Sequence, residues 1–352
     1  MDYYIKKNVN DKNTAGSKAP DDINQISEEM GLTALVYPTY PEKLSGILLK
    51  LKLLLDGLLF WSQVLYKVKE NESILYQHPH YVARVVGVFL PLLKMKGIRL
   101  VAVIHDLDSL RGMVLGNKSG QVSSKSQYED VYLLRKFDRV IVHNDSMKNY
   151  LLSRGYKEEK IIVLEIFDYL TRYDVLKLPI EKQIIIAGNL APTKSGYLYT
   201  LPDLQVGYHL YGPNFEGDES NSIRYHGSLD PETLISEMVP GFGLVWDGES
   251  IHTCQGPTGE YLRYNNPHKT SLYLAAERPV VIWEEAALAE FITKENLGFV
   301  VKDLSEIAGR FEKLTGDELQ EMRMNVQKVG RRIREGYYFR TALIKAFNRG
   351  NS

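Results

Sequence analysis

The chain has one cysteine, Cys254, among 352 residues. A single thiol excludes an internal disulfide and a cysteine-rich metal site, and it suits a reducing compartment. An excess of one charge is lacking too. Against 43 Lys and Arg stand 44 Asp and Glu, a net charge of −1, so no global field grips nucleic acid and any anion site must be local. Phosphate-binding glycine fingerprints are also missing. There is no G-x-x-x-x-G-K-[ST] loop, and no G-x-G-x-x-G with a downstream acidic partner follows the early strands, which disfavours an NAD-dependent enzyme. The opening MDYYIKKNVNDKN lacks the apolar core of a signal peptide, so a cytoplasmic location is expected rather than export. The most apolar segment, ILLKLKLLLDGLLFWSQVLYKV at 47–68, is interrupted by Lys50, Lys52 and Asp56 too often to span a bilayer. It reads as a core helix. A subunit interface in a homo-oligomer, or a peripheral contact with the inner face of the plasma membrane, are the competing readings.

What is present points to an α/β protein. The composition, 44% hydrophobic and 25% charged, is that of a globular chain, and its length exceeds what one core usually organises, so two domains are expected. Short β-branched runs alternate with helical patterns, as in parallel sheets covered on both faces. In the first half the strands are expected near Ala34–Tyr37, Ser73–Gln77, Leu100–His105, Arg139–His143 and Ile161–Leu164. Between them fall helices at Ile23–Met30, Ile47–Val68, Tyr81–Met95, Ser126–Lys136 and Asp145–Arg154, the last capped by Asp145 and stopped by Gly155. In the second half the strand pattern recurs at 183–188, 206–212, 223–227, 242–247, 279–283 and 298–301, with helices at Asp230–Met238, Pro267–Ala276, Glu285–Lys294 and Ser305–Leu314. The expected division is a first domain over 1–168, a linker over 169–182, a second domain over 183–335 and a terminal helix over 336–352. By analogy with two-domain α/β enzymes, that helix crosses back to the first domain.

Ligands of open α/β sheets bind beyond the carboxyl ends of the strands, so the loops there carry the chemistry. IIIAGNLAPTKSGY (184–197) places Gly188, Asn189 and Lys194 after a buried strand, either as a phosphate-facing loop or as a plain turn. Tyr211 ends the strand before YGPN, where it either stacks on a nucleobase or simply closes a turn. Trp246 and Asp247 close a further strand, a Gly-rich polar loop follows, and Pro267 then starts a helix behind an Asn cap. Lys269 lies in that helix's first turn, where the dipole favours an acidic residue, so a basic side chain there makes sense if it meets an anion. The stretch looks like a diphosphate clamp made by Lys269 and the Thr270, Ser271 and Leu272 amides. His268 is either a donor to sugar or phosphate or a capping or core histidine. In IHDLDSLRG (104–112), Asp106 and Asp108 form a D-x-D. This lies on the first domain, opposite the phosphate loops, so Asp106 is read as an acceptor-side general base, with a helix cap as the alternative. The polar segment at 10–22 is expected to be a loop whose Gly16, Ser17 and Lys18 face the cleft.

HDLDSLRG, HNDSMKNYL, IFDYL, AGNL, LVWDGESIHTC, NNPHKTSLYL and VIWEEAALAEFI together resemble bacterial β-1,6-galactofuranosyltransferases of O-antigen and capsule clusters. More distantly, the chain is similar to the streptococcal adhesin glucosyltransferases that extend a GlcNAc-modified serine-rich protein. The resemblance runs from the N-terminal loop to YYFRTALIKAF. It implies a GT-B fold, in which two Rossmann-like domains face across a cleft, with a UDP-sugar on the second and the acceptor on the first. By position it places UDP against Gly188, Asn189, Lys194, Tyr211 and the His268–Leu272 turn. Where the glucosyltransferases carry an arginine after Gly-Asn, this chain has Lys194 slightly later. The E-x7-E pattern of many retaining GT-B enzymes is missing, since His268 stands eight residues after Glu260. The resemblance thus implies an inverting, metal-independent hexosyltransferase with no cofactor beyond its UDP-sugar co-substrate, most simply UDP-galactofuranose, acting on a sugar hydroxyl of a lipid-linked glycan. UDP-glucose or UDP-galactose as donor, a glycoprotein acceptor, and a non-catalytic nucleotide-sugar-binding subunit are the alternatives.

Overall fold

The computed structural model describes residues 1–6, 15–39, 44–80, 82–114, 124–173, 175, 179–201 and 206–348. The first half comprises β1 (Tyr3–Lys6), α1 (Ala15–Glu29), β2 (Thr33–Val36), α2 (Gly46–Lys67), β3 (Ser73–His78), α3 (Ala83–Met95), β4 (Arg99–Ile104), α4 (Asp108–Val114), α5 (Ser124–Gln127), β5 (Arg139–Val142), α6 (Asp145–Ser153) and β6 (Ile161–Val163). The second comprises β7 (Ile184–Ala187), α7 (Pro192–Ser195), β8 (Tyr208–Tyr211), β9 (Ile223–Tyr225), α8 (Pro231–Glu237), β10 (Phe242–Val245), α9 (Gly256–Tyr261), α10 (His268–Ala275), β11 (Val280–Trp283), α11 (Ala289–Lys294), β12 (Gly298–Val301), α12 (Glu306–Lys313), α13 (Gly316–Arg334) and α14 (Tyr337–Phe347).

Two six-stranded parallel sheets result, ordered β2-β1-β3-β4-β5-β6 and β12-β11-β10-β7-β8-β9. Read from β9, the second is the doubly wound order in which the winding direction reverses between β7 and β10, and the crevice at such a reversal is where α/β sheets bind ligands. Side-chain alternation divides the first sheet between two cores. Tyr3, Ile5, Tyr76, Ala102 and Ile104 pack with α2 and α3. Tyr4, Leu75, Val101, Val103 and Ile141 join a core that continues into the second half, through Phe167, Leu272, Phe339 and Leu343. The helix α14 lies on β4, β5 and β6 beside α1. It is redirected there at Gly336 (φ 71°), whose positive φ costs a glycine least, and Asp168 accepts hydrogen bonds from the first amides of α14, Tyr338 N at 3.2 Å and Phe339 N at 2.6 Å.

Several local expectations are corrected. The strand β1 has no expected counterpart, because Tyr-Tyr-Ile-Lys is too short to show a period. The segment around Ser17 and Lys18 is helical from Ala15, while residues 10–14 lie outside the described ones. Residues Gly256–Tyr261, expected to be loop, form α9, with a proline at its start. The helix at Ser126–Lys136 is α-helical only to Gln127 and continues as a π turn and a 3-10 turn. Asn144, not Asp145, caps α6, its side chain accepting from Met147 N. Gly155 does close that helix, at φ 81°. Among the described residues no helix is long and apolar enough to cross a membrane.

Close packing of α10 on β10 gives the first testable consequence. A Cβ added at Gly243 meets the Tyr273 ring at 2.1 Å, and that ring is fully buried with its hydroxyl accepting from Ala187 N at 2.8 Å. Gly243→Ala is therefore expected to lower stability by about 2 kcal/mol, the usual scale of overpacking, seen as a shifted denaturant midpoint.

Candidate active site

The carboxyl ends of the two sheets meet across a cleft, and asparagine side chains hold them there. Asn266 precedes α10, yet it does not cap it: Pro267 is the N-cap and offers no side-chain bond. The Asn266 amide instead donates to His143 O (2.8 Å) and Glu165 O (3.0 Å) and accepts from Asn144 Nδ2 (2.8 Å). Its backbone N–H donates to His143 Nδ1 at 3.0 Å, and His143 Nε2 lies 3.1 Å from Ile104 O. One nitrogen must accept and the other donate, which selects the neutral Nε2–H tautomer. Burial holds the His143 pKa down to about 4, consistent with that form. Ser271 Oγ adds a bond to Phe167 O at 2.7 Å.

Among the described residues, five charged side chains act on one another beside this connection. On the first-domain side Asp106, immediately beyond β4, accepts from Tyr261 Oη at 3.1 Å and faces Arg111 at 3.8 Å. On the other side Lys269 donates to Asp247 (2.7 Å) and Trp246 O (3.1 Å). Lys194, on the one-turn α7, makes no ion pair among the described residues. Burial lowers its pKa; Asp247 and Asp106 oppose that shift, while Lys269 and Arg111 reinforce it. The loops after β7 and β10 are tied together by Gly248 N to Lys194 O (3.3 Å) and Tyr197 N to Gly248 O (3.2 Å). Three cations and two carboxylates thus surround the reversal between β7 and β10. Gly188 (φ 142°) and Asn189 are exposed beside them, Asn189 Oδ1 accepting from Ala191 N and Asn214 Nδ2.

The remaining sequence candidates divide. The Ser109 amide, in the first turn of α4, is bonded to Asp130 Oδ2 at 2.6 Å and not to Asp106. Asp108 is exposed at the start of that helix. Tyr211 is corrected to a core residue; its ring stacks on His226 at 4.5 Å and its hydroxyl accepts from Val239 N, leaving no face for a base. The amide part of the clamp is corrected as well. Thr270 N already donates to Pro267 O, and Thr270, Ser271 and Leu272 are buried. Gly16 and Ser17 belong to α1, and Lys18 is held by Asp22 (2.7 Å), Glu232 (2.9 Å) and Leu170 O (2.5 Å), bracing α1 against α8 instead of facing a ligand. His268 sits between Phe167 and Tyr169, both ring nitrogens buried without partners among the described residues. Burial, reinforced by Lys18 and His143, brings its pKa to about 3, so the ring is neutral at pH 7.

Sequence reasoning missed Asn266, His143, Asn144, Arg111 and Tyr261 as site residues. Arg111 stands within the same short motif as Asp106, and the Asn265–Asn266 doublet was visible, but nothing local says that its amide points across a cleft.

Residues 2–166 match the N-terminal domain, and residues 184–346 the C-terminal domain, of the family described as glucosyltransferase 3-like. The chain belongs to this family of glycosyltransferases. It is 32% identical to the β-1,6-galactofuranosyltransferase WbbI of Escherichia coli (strain K12) over 349 residues, 97% of each chain. To glucosyltransferase 3 of Streptococcus gordonii it is 28% identical over 335 residues, covering 93% of this chain and 92% of that one. Among solved structures it superimposes on the sucrose-phosphate synthase of Thermosynechococcus elongatus (TM-score 0.60, 14% identity, 98% and 96% of the two chains). It also superimposes on the lipopolysaccharide outer core galactosyltransferase WaaB (TM-score 0.61, 11% identity, 98% and 99%). At such identities these two speak for the fold, which is GT-B.

The His143 connection contributes stability that depends on pH. A histidine whose folded pKa is depressed stabilises the fold fully above its unfolded value of about 6.5 and loses that contribution as pH falls through the folded value. The stability lost when His143→Gln is made should therefore shrink between pH 6.5 and 4, where the wild-type Asn266 N–H loses its acceptor, as read from the difference in melting temperature between the two proteins.

Proposed function

We propose that the enzyme transfers a galactofuranosyl group from UDP-galactofuranose to a sugar hydroxyl of a lipid-linked glycan during surface polysaccharide synthesis, with inversion and without a metal. The observation that supports this best is the meeting of Lys194 and Lys269 from the second domain with the Asp106–Arg111 pair from the first. Likeness to the galactofuranosyltransferase along the whole chain favours the donor.

In this reading Lys269, oriented by Asp247, and Lys194 receive the leaving diphosphate. A half-buried lysine without a carboxylate partner gains when an anion arrives, because the anion offsets the lost hydration of the ammonium. Fixed cations also stabilise the negative charge that builds on the leaving oxygen, the task a metal performs in GT-A enzymes. Gly188 and Asn189 line the same side. Asp106, held by Tyr261 and Arg111, takes the proton from the acceptor hydroxyl as that oxygen attacks the anomeric carbon. UDP-galactofuranose is α-linked, so one in-line displacement yields the β product.

UDP release over a panel of UDP-sugars with a disaccharide acceptor tests the donor, and faster turnover with UDP-glucose would replace galactofuranose in this reading. Lys269→Ala and Lys194→Ala should each slow turnover about tenfold or more, as when one charge-stabilising donor is lost. Asp106→Asn should abolish transfer while UDP still binds. Unchanged turnover of that variant would instead favour a nucleotide-sugar-binding subunit.

A further inference from the structure

The helix α2 is apolar on both sides. Its inner face, with Phe60, Trp61 and Val64, is buried in the first-domain core. Its outer face over the first two-thirds carries Ile47, Leu48, Leu51, Leu55 and Leu59, which are 74%, 67%, 50%, 57% and 63% exposed. A solvated helix shows charge there. A patch of this kind marks a surface that something covers.

Where the patch sits follows from the packing of α2 against α3. Gly57 abuts Val82, the residue before α3, and Lys96 Nζ beyond the end of α3 bonds Leu65 O at 2.7 Å. The two helices therefore run side by side in the same direction from Gly57 onward. Residues 46–56 overhang the start of α3 by roughly 16 Å at 1.5 Å per residue. Because α3 begins at the carboxyl end of β3, which pairs in parallel with β4, the overhang points to the sheet edge that bears Asp106. The charges that α2 and α3 themselves place beside it are mostly basic. Lys50 and Arg84 are exposed and Lys52 is paired with Asp56, the sole acid on either helix, which is buried.

We infer that the overhang of α2 seats this enzyme on an anionic lipid bilayer, its leucines in the acyl–headgroup boundary and its cations among the headgroups. Long basic side chains lay their stems along apolar surface and lift their charges to the interface, so Lys50 and Lys52 among the leucines suit a membrane surface. A second copy of the chain would bring like charges together. The seating presents the acceptor side of the cleft to the bilayer. It goes beyond the proposed donor and acceptor, and it stands or falls separately from them.

Flotation of the full chain with vesicles tests it. Binding is expected to phosphatidylcholine vesicles containing phosphatidylglycerol, to weaken in high salt, and to be slight with phosphatidylcholine alone. Leu51→Ser/Leu55→Ser/Leu59→Ser should reduce the bound fraction about tenfold or more, given the apolar area removed. Lys50→Gln/Arg84→Gln should reduce it several-fold. The leucine variant should keep its UDP release with a soluble disaccharide acceptor, so loss of docking and loss of the proposed reaction are read apart. Wild-type protein that stays free of anionic vesicles would overturn the inference. So would a wild-type dimer or larger species in size exclusion that the leucine variant converts to monomer, which would identify a second copy as the occupant.

Discussion

The cleft depends on the Asn266 amide. A primary amide offers two donors and an acceptor, and here the donors meet His143 O and Glu165 O while the acceptor meets Asn144. The Asn266 backbone N–H adds His143 Nδ1. All of these partners belong to the first half of the chain, whereas Lys269 follows three residues later on α10. The first turn of α10 is thus placed relative to Asp106 by buried hydrogen bonds, which are worth more away from water and costly to leave half made. Such a connection sets distance and angle in a way that apolar packing alone does not.

With that turn fixed, charge distribution follows from topology. The winding of the second sheet reverses between β7 and β10, so the loops after these strands open one crevice and deliver Lys194 and Asp247 into it. The α9 and α10 segment then brings Tyr261 to Asp106 and Lys269 to Asp247. Each half contributes a cation together with a carboxylate partner, and Lys194 adds a further positive charge. A chain with no overall charge excess has a local positive one at this crevice. The helix dipole matters less than the motif suggested, since Thr270 N is engaged with Pro267 O and the next residues are buried.

Much of the fold was legible because each parallel strand forms a short β-branched run between helical patterns. Failures came where the period was too short or where a side chain had more than one use. Tyr3–Lys6 offers too few residues to show alternation, and Gly256–Tyr261 hides a helix behind glycines and a proline. Tyr211 carries the same chemistry whether it stacks on a base or on His226, and only packing distinguishes the two. Lys18 read as facing the cleft from a polar loop, yet Asp22 and Glu232 hold it on α1.

By itself, then, the sequence determined the α/β class, the sites of most strands and helices, and the loops that deserved attention. These follow from local hydrophobic period and from residues such as glycine, proline and lysine at strand ends. Only the tertiary structure decided which of those residues meet. Asp106 and Tyr261 are 155 positions apart, Asn266 and His143 are 123 apart, and the carboxylates that act on Lys194, Asp247 and Asp106, lie on other loops. Hydrogen bonds and charge pairs act over a few ångströms, so the chain had to fold before proximity could select among the roles each side chain is chemically able to fill.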